Sequence, residues 1–268
     1  MNMLSAQAAV SEAAQRLRGA VQSGNPCPPV RDLIGGNDVA AAYAVQQQNV
    51  AARLATGRQV VGRKIGLTSE AVQRQLGVDQ PDFGVLFDDM SYSDGAVIDF
   101  AAVLQPKVEA EVAFVLGADL DEGELDHAQV SAAIDYAVAA IEVCGSRIAD
   151  WDITFGDTVA DNASAGLYVL GTERKTLAEV TPRDVEMSMA VTDQEESTGT
   201  GAACMGDPIE AVAWLARKAR EFGEPLRAGQ VVLSGALGPM RAVAPGAQVD
   251  VEISGLGTVS VSFSQDTA

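Results

Sequence analysis

The sequence is nearly without histidine. Among its 268 residues there is one, His127, in the acidic segment Asp121-Glu122-Gly123-Glu124-Leu125-Asp126-His127. A Ser-His-Asp triad, a Cys-His pair or an H-E-x-x-H zinc site would have to rest on that single residue, which reads as a surface loop or a helix start. Cysteine is scarce as well: Cys27, Cys144 and Cys204 lie far apart with no C-x-x-C pair. That excludes a thiolate zinc cluster and fits reduced thiols, read here as buried in apolar surroundings. Basic residues are outnumbered, 18 Lys and Arg against 37 Asp and Glu, for a formal net charge of −19. A surface so negative repels phosphate backbones, so nucleic acid is not expected as a partner. No apolar run approaches the roughly 20 residues that span a bilayer, and no basic leader precedes an apolar block near residue 1. The expectation is a cytoplasmic chain with no membrane partner. Chemistry is left to carboxylates, Lys and Arg, hydroxyls, or a metal held by oxygen.

The carboxylates are placed unusually. In Gln105-Pro106-Lys107-Val108-Glu109-Ala110-Glu111-Val112-Ala113-Phe114-Val115-Leu116 the alternation predicts a strand with Glu109 and Glu111 on the same face. The Val, Phe and Leu around them send this strand into a core. Two adjacent carboxylates repel unless something positive lies between them, and a hard divalent cation meets that need. A solvated acidic face is the alternative. Glu142, inside Ala139-Ala140-Ile141-Glu142-Val143-Cys144, is a further acid in an apolar run and requires a partner. Arg147 is one candidate and a shared metal is the other.

Residues 4–22 predict an amphipathic helix with Leu4, Ala8, Ala14, Leu17 and Val21 on one side. Asn37 or Asp38 caps a second helix from Val39 to about Leu54, closed by Gly57. Val60–Ser69 reads as a strand entering a turn, with Thr68 or Ser69 capping a short helix through Leu76. Lys64 there lies between two glycines; it either guards a sheet edge or faces an anion that the glycines let approach. Gln80-Pro81-Asp82-Phe83-Gly84 reads as a turn, in which Asp82 could cap the backbone. Residues 127 to about 136 look helical, and 151–164 look polar and turn-rich. Ser197-Thr198-Gly199-Thr200-Gly201 lacks the pattern of a nucleotide loop and reads as a hairpin or a bulge. Asp207-Pro208 opens the clearest helix, Ile209 to Phe222, ended by Gly223, and strands separated by Gly and Pro turns complete the chain. Strands dominate without regular βαβ alternation, so the fold class is α+β. Residues 1–59 are expected as a helical cap region or an oligomer contact, and 60–268 as the strand-dominated domain.

Seven blocks occur in order over residues 60–240: VVGRKIGLTS, GVDQPDFGVLF, PKVEAEVAFVL, AIEVCGSRIADW, DTVADNAS, GDPIEAVAWLARK and AGQVVLSGALGPM. On these the chain resembles the 2-oxopent-4-enoate (2-hydroxypenta-2,4-dienoate) hydratases of the fumarylacetoacetate hydrolase superfamily, which act in bacterial meta-cleavage of aromatic compounds. The resemblance implies a mixed β-sheet roll or pseudo-barrel with N-terminal helices. It implies one Mg²⁺ or Mn²⁺ held by Glu109, Glu111 and Glu142, with Lys64 and Asp82 facing the substrate as catalytic residues. Ser164 and Ser234 are implied as substrate contacts. A small 2-hydroxydienoate substrate, a homo-oligomer (pentamer or decamer) and association with a pathway partner enzyme follow in the same way. Some relatives carry a lysine in the stretch 151–155, where this chain has Asp152 and Thr154, which favours a short monocarboxylate substrate. Sister decarboxylases share the metal site, so decarboxylation of a 2-oxo-3-enedioate and C–C hydrolysis are alternatives. A non-catalytic role in a hydratase–decarboxylase assembly is another.

Overall fold

The computed structural model of the chain describes residues 3–69, 73–74 and 78–265. The helix expected from Thr68 or Ser69 through Leu76 falls largely outside them. Helix α1 (Met3–Ser23), the short α2 (Arg31–Ile34) and α3 (Val39–Ala55) precede the first strand. Asp38 caps α3 by accepting from the Ala41 amide, as its position predicts. In α1 the buried side is Ala13, Ala14, Leu17 and Ala20, whereas Leu4 and Val21 are exposed. The expected apolar stripe therefore holds only in its middle. Small side chains let α1 approach α3 closely, and both helices share one hydrophobic core with the strands that follow.

The strands form two sheets. The larger contains β1 (Val60–Gly66), β2 (Asp82–Phe87), β3 (Ser91–Ser93), β5 (Lys107–Leu116), β6 (Ile134–Cys144), β7 (Leu167–Leu170), β10 (Val231–Ala236) and β11 (Arg241–Ala242). Its order is β2-β1-β10-β5-β6-β7-β3, with β11 on β5. The edge strands β2 and β3 are consecutive in the chain, joined only by residues 88–90, so the sheet has to curl until its edges meet. This produces the pseudo-barrel. The smaller sheet, β4 (Ala96–Ile98), β8 (Glu186–Val191), β9 (Ser197–Thr200), β12 (Gln248–Ile253) and β13 (Gly257–Phe263), has the order β4-β13-β12-β8-β9 and packs across β6 and β7. Ser197–Thr200 pairs back on β8 as the expected hairpin.

Three expectations about elements are corrected. The segment 80–84 is not a free turn: Asp82 opens β2, every residue of which is buried. Among the described residues only β1 pairs with it, and α3 covers it, Tyr43 stacking on Phe83 with ring centroids 4.8 Å apart. The helix at 127 ends at Ala133, because the Ala-rich run beyond it is recruited as β6 along the full length of β5. Here α4 denotes His127–Ala133, α5 Phe155–Ala160 and α6 Pro208–Glu221. The turn-rich reading of 151–164 misses α5, a wholly buried helix opened by a capping box between Thr154 and Asp157.

Candidate active site

Antiparallel register sets the acids opposite one another. Glu109 on β5 pairs with Glu142 on β6, and Glu111 lies two residues along the same face. Glu111 and Glu142 are essentially unexposed, so the solvated acidic face is excluded. Burial first, and Glu142 second, raise Glu109 from the usual carboxylate range to about 7. Glu111 is raised for the same two reasons, with Glu109 adding to the repulsion.

Lys64 supplies the nearest positive charge. It comes from β1, and its Nζ lies 3.1 Å from Glu142 Oε1 and donates to the Ala163 carbonyl at 2.9 Å. Burial opposes its charge, but the fields of Glu142, Asp82 and Glu109 win and hold it protonated well above the ordinary lysine range. The edge-guard reading of Lys64 is thereby replaced. Arg147 is not the partner of Glu142: it is committed to Asp161, Nε to Oδ1 at 2.5 Å, and to the Ala165 carbonyl.

Asp82 faces the same space. It pairs in register with Gly66, and a Cβ built on that glycine would stand 2.2 Å from Asp82 Oδ1 and 3.4 Å from Lys64 Nζ. Glycine at 66 is what leaves room for the two groups. Burial raises the Asp82 carboxyl above its ordinary range, with Lys64 pulling the other way. Its Oδ2 accepts from Thr158 Oγ1 at 3.3 Å, and Thr158 in turn is 3.3 Å from Ser164 Oγ. Ser164 therefore joins the site through Thr158. It closes the run Asn162, Ala163, Ser164, all three at positive φ (56°, 52° and 55°). Non-glycine residues held there store strain, about 1–2 kcal/mol each. That conformation presents the Ala163 carbonyl to Lys64, while the Asn162 side chain is clamped on both polar groups of Val85.

Ser234 is placed differently. Its hydroxyl is fully buried and donates to the Val112 carbonyl at 2.8 Å. The next residue, Gly235, reaches the acids, its amide donating to Glu111 Oε2 at 2.7 Å. Nor are the cysteines simply apolar: Cys27 is half-buried, Cys204 donates to the Ser234 carbonyl, and Cys144 lies 3.9 Å from Glu109 Oε2. Burial, then Glu142, raises the Cys144 thiol well above its ordinary range.

Among the described residues, four buried carboxylate oxygens lack any hydrogen-bond partner: Asp82 Oδ1, Glu111 Oε1 and both oxygens of Glu142. The Lys64 contact is thus an ion pair without hydrogen-bond alignment. Unpartnered buried oxygens of this kind are what a hard cation requires, since it binds carboxylate oxygen and repays desolvation. The donor set fits a divalent metal. Glu109, Glu142 and Cys144 offer ligand atoms within 4.8 Å of one another, while Glu111 stands beside them with one oxygen tied to Gly235. For a hard ion, oxygen chemistry favours the three glutamates over a set containing the protonated thiol.

Sequence reasoning missed Thr158, the Ala163 carbonyl and the Gly235 amide. The T-x-x-D capping pattern at 154–157 was a usable signal for the helix carrying Thr158; the two backbone groups left none. His127 is at the start of α4, as expected, against Asp207 on the surface. Asp152 and Thr154 are structural: the first pairs with Arg31 and the second belongs to the capping box. A separate cavity of about 610 Å³, bounded by α1, α3 and the β2–β3 turn, is lined by none of the clustered acids or Lys64. Among the described residues no helix is long and apolar enough to cross a membrane.

The family model described as fumarylacetoacetate (FAA) hydrolase C-terminal matches residues 50–263. A "TodF product hydratase" of Pseudomonas putida (strain F1) is 55% identical over 257 residues, covering 96% of both chains. A "2-keto-4-pentenoate hydratase" of Paraburkholderia xenovorans (strain LB400) is 53% identical over 257 residues, covering 94% of both. Among solved structures, the 4-oxalocrotonate decarboxylase of Pseudomonas putida G7, complexed with magnesium and adipate, superposes with a TM-score of 0.90. It is 35% identical and covers 95% of this chain and 97% of its own.

Proposed function

This chain belongs to the fumarylacetoacetate hydrolase family, and we propose that it is a hydro-lyase of the meta-cleavage catabolism of aromatic compounds. It adds water to 2-hydroxypenta-2,4-dienoate, the dienol of 2-keto-4-pentenoate, giving 4-hydroxy-2-oxopentanoate. The observation that carries this reading is the convergence of Glu109, Glu111 and Glu142 with Lys64 and Asp82, four acid oxygens being unpartnered. Hydration is preferred to decarboxylation because the hydratases are 53% and 55% identical to this chain and the decarboxylase 35%.

Glu109, Glu111 and Glu142 would hold Mg²⁺ or Mn²⁺, which when bound supplies Lewis-acid stabilisation of negative charge on the substrate's C2 oxygen. The remaining steps belong to the protein's own groups. Lys64 donates to the Ala163 carbonyl and is ion-paired with Glu142, and a remaining N–H meets the substrate carboxylate. Asp82 carries the proton: Thr158 fixes Oδ2, leaving Oδ1 free to exchange with substrate and water. Ketonisation removes the 2-hydroxyl proton and protonates C5, placing the C3=C4 bond in conjugation with the carbonyl. Water then adds at C4, and a proton arrives at C3. A carboxyl raised by burial suits both directions of transfer, and a positioned acid–base group contributes roughly 10²–10⁴-fold. Ser164, held by Thr158, orients the water or the substrate carboxylate, and the Ser234 hydroxyl is assigned to shaping the Gly235 contact.

The site residues, a closed homo-oligomer (pentamer or decamer), association with a decarboxylase of the same pathway, a cytoplasmic location and the division at residue 59 are parts of the same proposal. The test is loss of dienol absorbance with purified protein, with and without chelator, and in Glu109→Gln. Undiminished hydration without metal would overturn the metal assignment; CO₂ release from the corresponding dicarboxylate, with no hydration, would overturn the reaction.

A further inference from the structure

Cys144 follows Glu142 by two residues on β6, so the thiol and the carboxylate project from the same face of the sheet. The thiol lies 3.9 Å from Glu109 Oε2, and the ligand atoms of Glu109, Glu142 and Cys144 fall within 4.8 Å of one another. Glu142 is 1% exposed, and neither of its oxygens has a hydrogen-bond partner. From this juxtaposition we infer that the site contains a second, overlapping ligand set, Glu109–Glu142–Cys144, which captures thiophilic divalent cations such as Cd²⁺ and Zn²⁺.

The two sets differ in one donor. A hard cation takes oxygen and selects Glu111, whereas a soft or borderline cation gains most from sulfur and selects Cys144. As the metal–sulfur bond forms, the S–H bond breaks and its proton passes to solvent, with no change of oxidation state. The two carboxylates and the thiolate would supply three of the donors that Zn²⁺ and Cd²⁺ take. Glu109 and Glu142 serve both sets, so occupancy by one cation excludes the other. The chain thereby carries a built-in sensitivity: thiophilic metals displace the supporting cation and stop turnover. The inference rests on the metal-site reading above only in its use of Glu109 and Glu142.

The test is a titration of the metal-free, full-length protein with Co²⁺ and then Cd²⁺, followed in the near ultraviolet for thiolate-to-metal charge transfer and by calorimetry. The band is expected in the unaltered protein and in Cys27→Ala, and is lost in Cys144→Ser. In that variant Cd²⁺ binding weakens at least about tenfold, while Mg²⁺ binding changes far less. Cys144→Val gives the same result if the serine variant folds poorly. Co²⁺ binding without a thiolate band, a band that survives at Cys144→Ser, or a band removed by Cys204→Ser instead would overturn the inference. None of these readings involves substrate, so they leave the hydratase reading untouched. Failure of every cation to bind, Mg²⁺ included, would overturn the inference and the metal assignment together.

Discussion

Lys64 Nζ and Glu142 Oε1 are 3.1 Å apart although their strands, β1 and β6, are separated by β10 and β5. In a flat sheet those strands would be about 14 Å apart. The ion pair exists because the sheet curls, turning one face of adjacent strands into the wall of a closed site. Removing one member of a buried pair leaves the other uncompensated, typically at about 3–5 kcal/mol. Lys64→Met is therefore expected to destabilise the metal-free protein by that order and to abolish most of the activity. Because a bound cation supplies alternative positive charge, the loss should be smaller in Mg²⁺. Urea melts in chelator and in Mg²⁺ measure the difference.

Stability of the metal-free protein should fall as pH rises. Glu109 is raised to about 7 in the folded chain, against about 4.3 when unfolded. Between those values the folded chain holds a proton that the unfolded chain has released, so each step upward in pH favours unfolding. The penalty is complete above about 7 and relieved toward 4.3. Glu111 and Asp82, raised by burial, push in the same direction. Thermal melts from pH 5.5 to 8.5 in chelator should show the decline, and excess Mg²⁺ should flatten it. A metal-free melting temperature that increases over this range would contradict the packing of the three acids.

Asp82→Asn keeps the shape of the side chain and removes its ability to exchange a proton. A fall in kcat of about 10²–10⁴-fold is expected, with KM little changed. Thr158→Val should do less, about tenfold, because it removes only the hydrogen bond that fixes Oδ2. Its distinguishing mark is a displaced pH–rate profile, which a purely structural contact would leave in place. Steady-state kinetics across pH, on both variants, separates the two roles.

How much of this could be seen in the chain alone differs from element to element. Glu109 and Glu111 were legible because period-two alternation is a local property, and α6 because Asp207, Pro208 and Gly223 mark its ends. Asp82 looked like a turn acid because Pro and Gly flank it; only the covering of β2 by Tyr43 and Phe222 makes it a buried strand. Residues 134–144 carry no periodicity that separates buried helix from buried strand, and the pairing with β5 decides the matter. Of the two candidate partners of Glu142, Arg147 is taken by Asp161, and the lysine that stands against Glu142 instead is brought in by curvature, which sequence proximity cannot weigh. Ala163 and Gly235 contribute through backbone atoms, which no residue type announces.

Gly66 and Gly19 make a paired prediction. At Gly66 the backbone is extended strand that any residue adopts, so the demand for glycine is one of space: an added Cβ would meet Asp82 Oδ1 at 2.2 Å. The aspartate shares a packed, buried position with Lys64 and Thr158 and has little room to withdraw. Gly66→Ala is therefore expected to lose activity by about 10²-fold or more, since a displacement near 1 Å at a reacting group has that effect. Gly19 lies in the interior of α1, and a Cβ there meets nothing within 4 Å. Gly19→Ala should stabilise the chain by about 0.5–1 kcal/mol through helix propensity and leave turnover unchanged. Parallel denaturation and activity assays on the two variants test whether glycine at 66 serves the site and glycine at 19 does not; equal activity loss in both would refute the assignment of Gly66.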